Sequence, residues 1–137
     1  MQQKQVVTAF LRNCGRILLV RRSSEVGTYR GRWSGISGYL EDTPFEQALT
    51  EIREETGLGA DEVELVNQAE PLQVCDVEND TEWQIYPFLF DTEFPERVRL
   101  DWENLEMVWI QPAQIVDYPT VPALKKTLES VWPQAVE

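Results

Sequence analysis

The stretch GYLEDTPFEQALTEIREETGL, Gly38 to Leu58, decides how this chain reads. Thr43-Pro44-Phe45-Glu46 is a capping box, with Thr43 as N-cap, Pro44 at the first helical position and Glu46 three residues after the cap. Gly57 suits the left-handed residue that ends a helix, and Leu58 can pack back on it. The spacing predicts a helix over 44–56. At about 100° per residue, Phe45, Ala48, Leu49, Ile52 and Thr56 share a face expected to meet the core. Glu51, Glu54 and Glu55 fall together on an adjoining face, spaced i, i+3 and i+4, where like charges repel. Glu54 and Glu55 also oppose the helix dipole in the last turn. A solvated acidic face has this pattern. So does a hard-cation site, in which carboxylate oxygens hold Mg²⁺ or Mn²⁺ and the repulsion is relieved by the ion. The helical wheel alone allows both.

Outward from the helix the chain reads as strands. Residues 4–12 (KQVVTAFLR) and 16–22 (RILLVRR) are apolar and β-branched around an Asn13-Cys14-Gly15 turn. Residues 23–32 form a polar loop, and 33–38 (WSGISG) a short extended stretch. Beyond the helix, 62–77 and 82–91 read as two strands around an Asn79-Asp80 turn, and 105–111 as another. A turn at 112–116 and an amphipathic helix over about 121–132 complete the chain. No repeat or linker divides it, so one domain over 1–137 is expected. Many strands with one central and one terminal helix imply an α/β protein with a mixed sheet covered by helices.

The chain has no histidine. That removes the commonest general base and zinc ligand, and with them serine–histidine and cysteine–histidine catalysis. Any chemistry must run on carboxylates, cations, backbone amides or a bound hard metal. Twenty-four acidic against 12 basic side chains give a net charge of −12, which opposes polymeric nucleic acid or an anionic membrane as partner. Small phosphorylated ligands are compatible with a local positive cluster at Arg21, Arg22, Arg30 and Arg32. Cys14 and Cys75 match no metal or redox spacing and read as buried or idle thiols in a reducing compartment. No leader or membrane-length apolar run is present, so a soluble, cytoplasmic protein is expected.

From Gly38 to Leu58 the sequence resembles the Nudix box: Gly, five residues, Glu, seven residues, then Arg-Glu-apolar-any-Glu-Glu-any-Gly-apolar. Glu51, Ile52, Glu54, Glu55, Gly57 and Leu58 match in register. The strands before the box, Trp33, and the 103–109 segment followed by Pro112 extend the resemblance. Two departures stand out. Thr50 occupies the family's Arg position, and the span from Gly38 to Thr50 is two residues short, leaving Asp42 or Glu41 to stand in for the first box Glu.

The resemblance implies a Nudix-like α/β/α sandwich, with a mixed sheet flanked by the box helix and a C-terminal helix. It implies metal-dependent hydrolysis of a diphosphate bond in a nucleoside diphosphate linked to another group: a nucleotide sugar, dinucleotide or nucleoside triphosphate. Glu51, Glu54 and Glu55 would hold Mg²⁺ or Mn²⁺. Glu54 and a late-loop acid, Glu103, are the catalytic candidates, with Glu106, Asp80 and Glu82 as rivals for the base. Arg22, Arg30 and Arg32 are candidates to grip phosphate bidentately. Trp33 is preferred to stack a base over Tyr39, Trp83 and Trp102, and Gly38 lets the chain pass close to the metal site. Dimers are common among resembling proteins, so a homodimer is a possible state, which the sequence itself does not decide. The alternative is a catalytically weak Nudix-fold module that senses a nucleotide. The three carboxylates favour the enzyme; the missing Arg and short loop favour the sensor. An isoprenoid diphosphate isomerase shares the fold, but the short chain and absent histidine argue against it.

Overall fold

A computed structural model of the chain describes residues 1–133, so the last four residues of the expected 1–137 domain lie outside the described part. In chain order the elements are β1 (Gln2–Asn13), β2 (Arg16–Arg22), β3 (Trp33–Ser34), β4 (Ile36–Tyr39), α1 (Pro44–Thr56), β5 (Val63–Gln68), β6 (Leu72–Asp76), β7 (Thr81–Thr92), β8 (Asn104–Ile110) and α2 (Leu124–Val131). All eight strands join one mixed sheet. Its axis is the parallel pair β1 and β7, in register from Gln2 opposite Thr81 to Arg12 opposite Asp91. β4 lies antiparallel on β1, from Val6 opposite Tyr39 to Ala9 opposite Ile36. β5 and β6 line the other side of β7, and β8 runs along β2. The fold is thus α/β, a mixed sheet with a helix on each face.

The apolar strands alternate sides with period two, as pleating requires. Val7, Ala9 and Leu11 meet Ala48 and Ile52 of α1, together with Phe88 and Phe90. Phe10, Ile17, Leu19 and Leu89 meet Leu124, Leu128 and Val131 of α2. Because both faces are covered, β1 and β2 read as continuous apolar runs. α2 is only eight residues long and reaches only the Phe10 end of its face. At Thr8 and Val6 the same face carries a cavity.

Several expectations need correction. The span 62–77 is two strands, because Pro71 lacks the N–H needed to continue one ladder. The last helix starts at Leu124, three residues late, after Pro122 and a left-handed Ala123 at φ 65°. Phe45 is 37% exposed and reaches the core only at its edge, with its ring 6.1 Å from Phe90. Cys14 and Cys75 are exposed, Cys14 in the tight β1–β2 turn where φ is positive at both Cys14 and Gly15. No helix among the described residues is long and apolar enough to cross a membrane.

Candidate active site

The box helix begins and ends where the sequence places it. Thr43 Oγ1 accepts the Glu46 N–H at 3.4 Å, and the left-handed Gly57 (φ 81°) donates its N–H to Arg53 O at 2.9 Å. Only half of the capping box forms, because the Thr43 N–H goes to Asp42 Oδ1 at 2.7 Å. Asp42 and Glu41, the stand-ins for the first box Glu, are both exposed.

The face assignment of the glutamates is corrected. Glu51 and Glu55 are 8% and 2% exposed, while Glu54 points to solvent. Gln47, Glu51 and Glu55, at i, i+4 and i+8, form a ridge beside Ala48, Ile52 and Thr56. Together these six residues bury roughly half of the helix circumference. β4 and the loop entering β8 cover that ridge, so its polar groups lie inside the protein.

Glu103 completes the arrangement. Carboxylate oxygens of Glu51, Glu55 and Glu103 lie within 4.8 Å of one another. Gln47, itself buried, donates Nε2–H to Glu51 Oε2 at 2.9 Å and accepts the Glu41 N–H at 2.9 Å. Asn104 Nδ2 donates to Glu55 Oε1 at 3.0 Å. Glu55 Oε2 is buried and has no partner among the described residues. Gly38 allows this packing: a Cβ there would overlap the Glu51 carboxyl.

Three acids this close disfavour one another's charge. Burial pushes the Glu55 carboxyl well above the usual carboxylate range, the Asn104 hydrogen bond opposing it and the charges of Glu103 and Glu51 adding to it. Burial also raises Glu51, against the Gln47 hydrogen bond, with Glu54 adding to the rise. Glu103 is raised by burial, then by Asp101 and Glu51. Arg22 is lowered by burial, with Glu55 and Glu103 opposing that shift. An orphaned buried oxygen within an all-oxygen donor set fits a hard divalent cation, which would satisfy the oxygen and relieve the repulsion. Glu51, Glu55 and Glu103 could hold it.

A cavity of about 140 Å³ adjoins the trio, lined on this side by Glu103, Gly38 and Arg22. Arg22 Nε donates to Thr28 O at 2.9 Å, fixing the guanidinium in the wall. Across the sheet the lining continues through Tyr39 and Trp83, whose rings stack at 6.3 Å and 22°, to Val74 and Tyr29.

The remaining candidates lie elsewhere. Arg30 is exposed and donates to Val26 O; Arg32, also exposed, donates to Thr120 O. Trp33 packs edge-on against Tyr118 at 5.3 Å beside the α2 core, because β3 pairs on β2 and turns the indole away from the cavity. Neither the two arginines nor Trp33 lines the cavity. Glu106 is ion-paired with Arg21 at 2.7 Å, Asp80 lies 3.9 Å from the N-terminal amine, and Glu82 lines a separate groove. Trp102 is 63% exposed. Gln47, Asn104, Tyr29 and Asp76 escaped the sequence reading. Only Gln47 carries a local signal there, its place four residues before Glu51.

Tyr29 is the most constrained of these. Its hydroxyl donates to Asp76 and accepts from Trp83 Nε1 at 3.1 Å. Burial and the Asp76 bond push its pKa from the ordinary 10 up to about 12. A raised folded-state value means this stabilisation is complete below about pH 10 and lost as pH rises through about 12. Ultraviolet titration is expected to show one of the four tyrosines ionising late, and that step should vanish in Tyr29→Phe. Four tyrosines titrating together would remove the assignment.

Comparison with known proteins agrees with this geometry. Residues 2–131 match the NUDIX domain. The chain belongs to the NUDIX family. This Nudix hydrolase is 28% identical over 135 residues to the nucleoside triphosphatase NudI of Escherichia coli O139:H28, covering 93% of this chain and 96% of the relative. The MutT protein of Methanosarcina mazei Go1 superposes with a TM-score of 0.74 at 25% identity, covering 93% of this chain and 91% of that one. A NUDIX hydrolase of Nitrosomonas europaea superposes with a TM-score of 0.76 at 19% identity, covering 96% and 93%, a likeness of fold.

Proposed function

We propose that this hydrolase cleaves a phosphoanhydride bond in a nucleoside diphosphate that carries a further group, with a nucleoside triphosphate as the leading substrate class and Mg²⁺ or Mn²⁺ as cofactor. The observation that carries this reading is the trio Glu51, Glu55 and Glu103, with Glu55 Oε2 unpartnered among the described residues, beside a cavity that also takes in the half-buried Arg22. The relative named as a nucleoside triphosphatase supports the choice of triphosphate. Glu51, Glu55 and Glu103 would hold the cation, with Glu54 as a further ligand on the solvent side. Bound there, the cation supplies charge neutralisation on the diphosphate oxygens and a lower pKa for the attacking water.

The chain's own groups do the rest. Arg22 grips phosphate oxygens, its guanidinium already fixed by Thr28. Glu103, half-buried at the edge of the cavity, is the base that takes the water's proton, through the carboxylate oxygen it does not give to the cation. Tyr39 and Trp83 offer an aromatic wall to the base of the nucleotide. Arg30, Arg32 and Trp33 have no part in this reading. The chain is taken as one catalytic domain, as the family match over 2–131 supports, working in the cytoplasm on a small nucleotide. Light scattering reads whether the protein is a monomer or a homodimer.

The deciding experiment is a phosphate- and pyrophosphate-release screen across nucleoside triphosphates, nucleotide sugars and dinucleotides, with Mg²⁺, Mn²⁺ or excess chelator. Release confined to the metal arms is expected. Full activity in chelator would falsify the reading, and tight nucleotide binding without release would favour the sensor instead. Arg22→Lys keeps the charge but loses the fork, and a rise in KM of roughly tenfold is expected, with a smaller change in kcat.

Gln47 addresses the missing box Arg. It holds Glu51 in place from within the same helix, so Gln47→Leu is expected to lower kcat at least tenfold with KM little changed. Thr50→Arg added to that variant should recover part of the loss. Absence of any kcat effect would mean that Glu51 needs no such positioning residue.

A further inference from the structure

The cavity crosses the sheet. Its lining takes residues from β4 (Ser37, Gly38, Tyr39), β1 (Val6, Thr8), β7 (Trp83, Ile85) and β6 (Val74). These strands are neighbours in the order β4-β1-β7-β6. At about 4.8 Å between strands, the β6 end is roughly 14 Å from the β4 end, where Gly38 makes room for Glu51. Tyr29 reaches that far end with its hydroxyl. It comes from the β2–β3 loop, and its hydroxyl joins Asp76, the last residue of β6, and the Trp83 indole of β7. Asp76 is held in turn by Asn79 Nδ2 at 2.7 Å. The Tyr29 backbone is left-handed at φ 51°, a conformation that costs a residue with a Cβ and persists where its surroundings over-determine it. The loop is also tied at its base, through Arg22 Nε to Thr28 O.

A ring pinned from two strands cannot rotate aside as a free surface tyrosine would. We infer that Tyr29 is a specificity-determining residue: pinned by Asp76 and Trp83, its ring ends the cavity and limits the length of the group that can lie along Tyr39 and Trp83 when the phosphates are at the acidic trio. The inference rests on the reading of the site as one for a nucleotide, and it concerns which base is admitted. Shortening the wall lengthens the cavity, so larger bases gain relative to smaller ones. Removing only the hydroxyl frees the wall without deleting it and should give a weaker change in the same direction.

The test compares the parent, Tyr29→Ala and Tyr29→Phe, with Asp76→Asn as the variant that loosens the pin from outside. Steady-state kinetics on purine and pyrimidine nucleoside triphosphates give the ratio of kcat/KM values. Inorganic tripolyphosphate, which has no base, is the control. In Tyr29→Ala the purine-to-pyrimidine ratio is expected to rise about tenfold, the scale of a changed pocket contact. Tyr29→Phe and Asp76→Asn should lie between it and the parent, with tripolyphosphate turnover unchanged throughout. A merely structural role would lower all substrates together. Calorimetric binding of methylene-bridged analogues repeats the ranking without turnover and separates two failures. A Tyr29-dependent ranking of Kd without hydrolysis would overturn the proposed reaction and keep the wall. Hydrolysis or binding whose ranking is the same in all four proteins overturns the wall, and so does a parent that binds no nucleotide.

Discussion

Glu55→Gln is expected to lower turnover at least a hundredfold while leaving the metal-free protein no less stable than the parent. Glu55 is 2% exposed, one oxygen bonded to Asn104 and the other to nothing among the described residues. The amide keeps an acceptor for Asn104 and removes a carboxyl whose charged form is disfavoured by burial and by its two acidic neighbours. Loss of that penalty is worth on the order of 1 kcal/mol in the metal-free state. The same change deletes a ligand, so the rise in melting temperature that Mg²⁺ or Mn²⁺ gives the parent should largely disappear. The rate loss has the size expected when a charge clamp on the transition state is removed. Melting curves with and without metal, and one rate assay, decide the matter. A variant that melts well below the parent without metal yet keeps its metal shift would make Glu55 structural and remove the trio as the reaction centre.

The second large effect belongs to a residue with no functional group. Gly38→Ala is expected to reduce turnover on the order of a hundredfold for a stability loss of only about 1–2 kcal/mol. Its φ is not positive, so backbone conformation is not what demands glycine here. The added methyl would overlap the carboxyl end of Glu51. That end can swing away, which keeps the folding penalty small, but swinging breaks the Gln47 bond and takes Glu51 out of the trio. A displacement of about 1 Å is enough for such a rate loss. Gly35→Ala supplies the contrast. There a Cβ would crowd the Ala9 carbonyl at 3.1 Å and Phe10 and Thr8 at 3.2 Å, so the strand and its neighbours must shift by a few tenths of an ångström while Glu51 keeps its place, and turnover per folded molecule holds. Equal rates for Gly38→Ala and the parent would show that the position of Glu51 does not matter to the chemistry.

Local sequence was enough for the parts of this protein that are local. Thr43, Pro44 and Gly57 act within a few bonds of themselves, so the limits of the box helix were legible from residue type alone, as was the turn at Cys14 and Gly15. The in-register glutamates named the family and pointed to a hard cation for the same reason, since helical spacing is a property of the helix by itself. Spacing could not tell which glutamates meet. On the wheel Glu51, Glu54 and Glu55 are neighbours; in the folded protein Glu54 faces water, and Glu103 joins the other two because the chain segment entering β8 covers one flank of α1. The arginines divide in the same way: Arg22 reaches the cavity from its place at the end of β2, while Arg30 and Arg32 turn outward from the loop that follows. The cavity is a consequence of pairing. β1 and β7 lie parallel with partners 79 residues apart, and that register, with β4 on one side and β6 on the other, assembles Gly38, Tyr39, Trp83 and Val74 around one space. Strand pairing at such separation depends on how two helices bury both faces of the sheet at once, and no short stretch of sequence contains that condition.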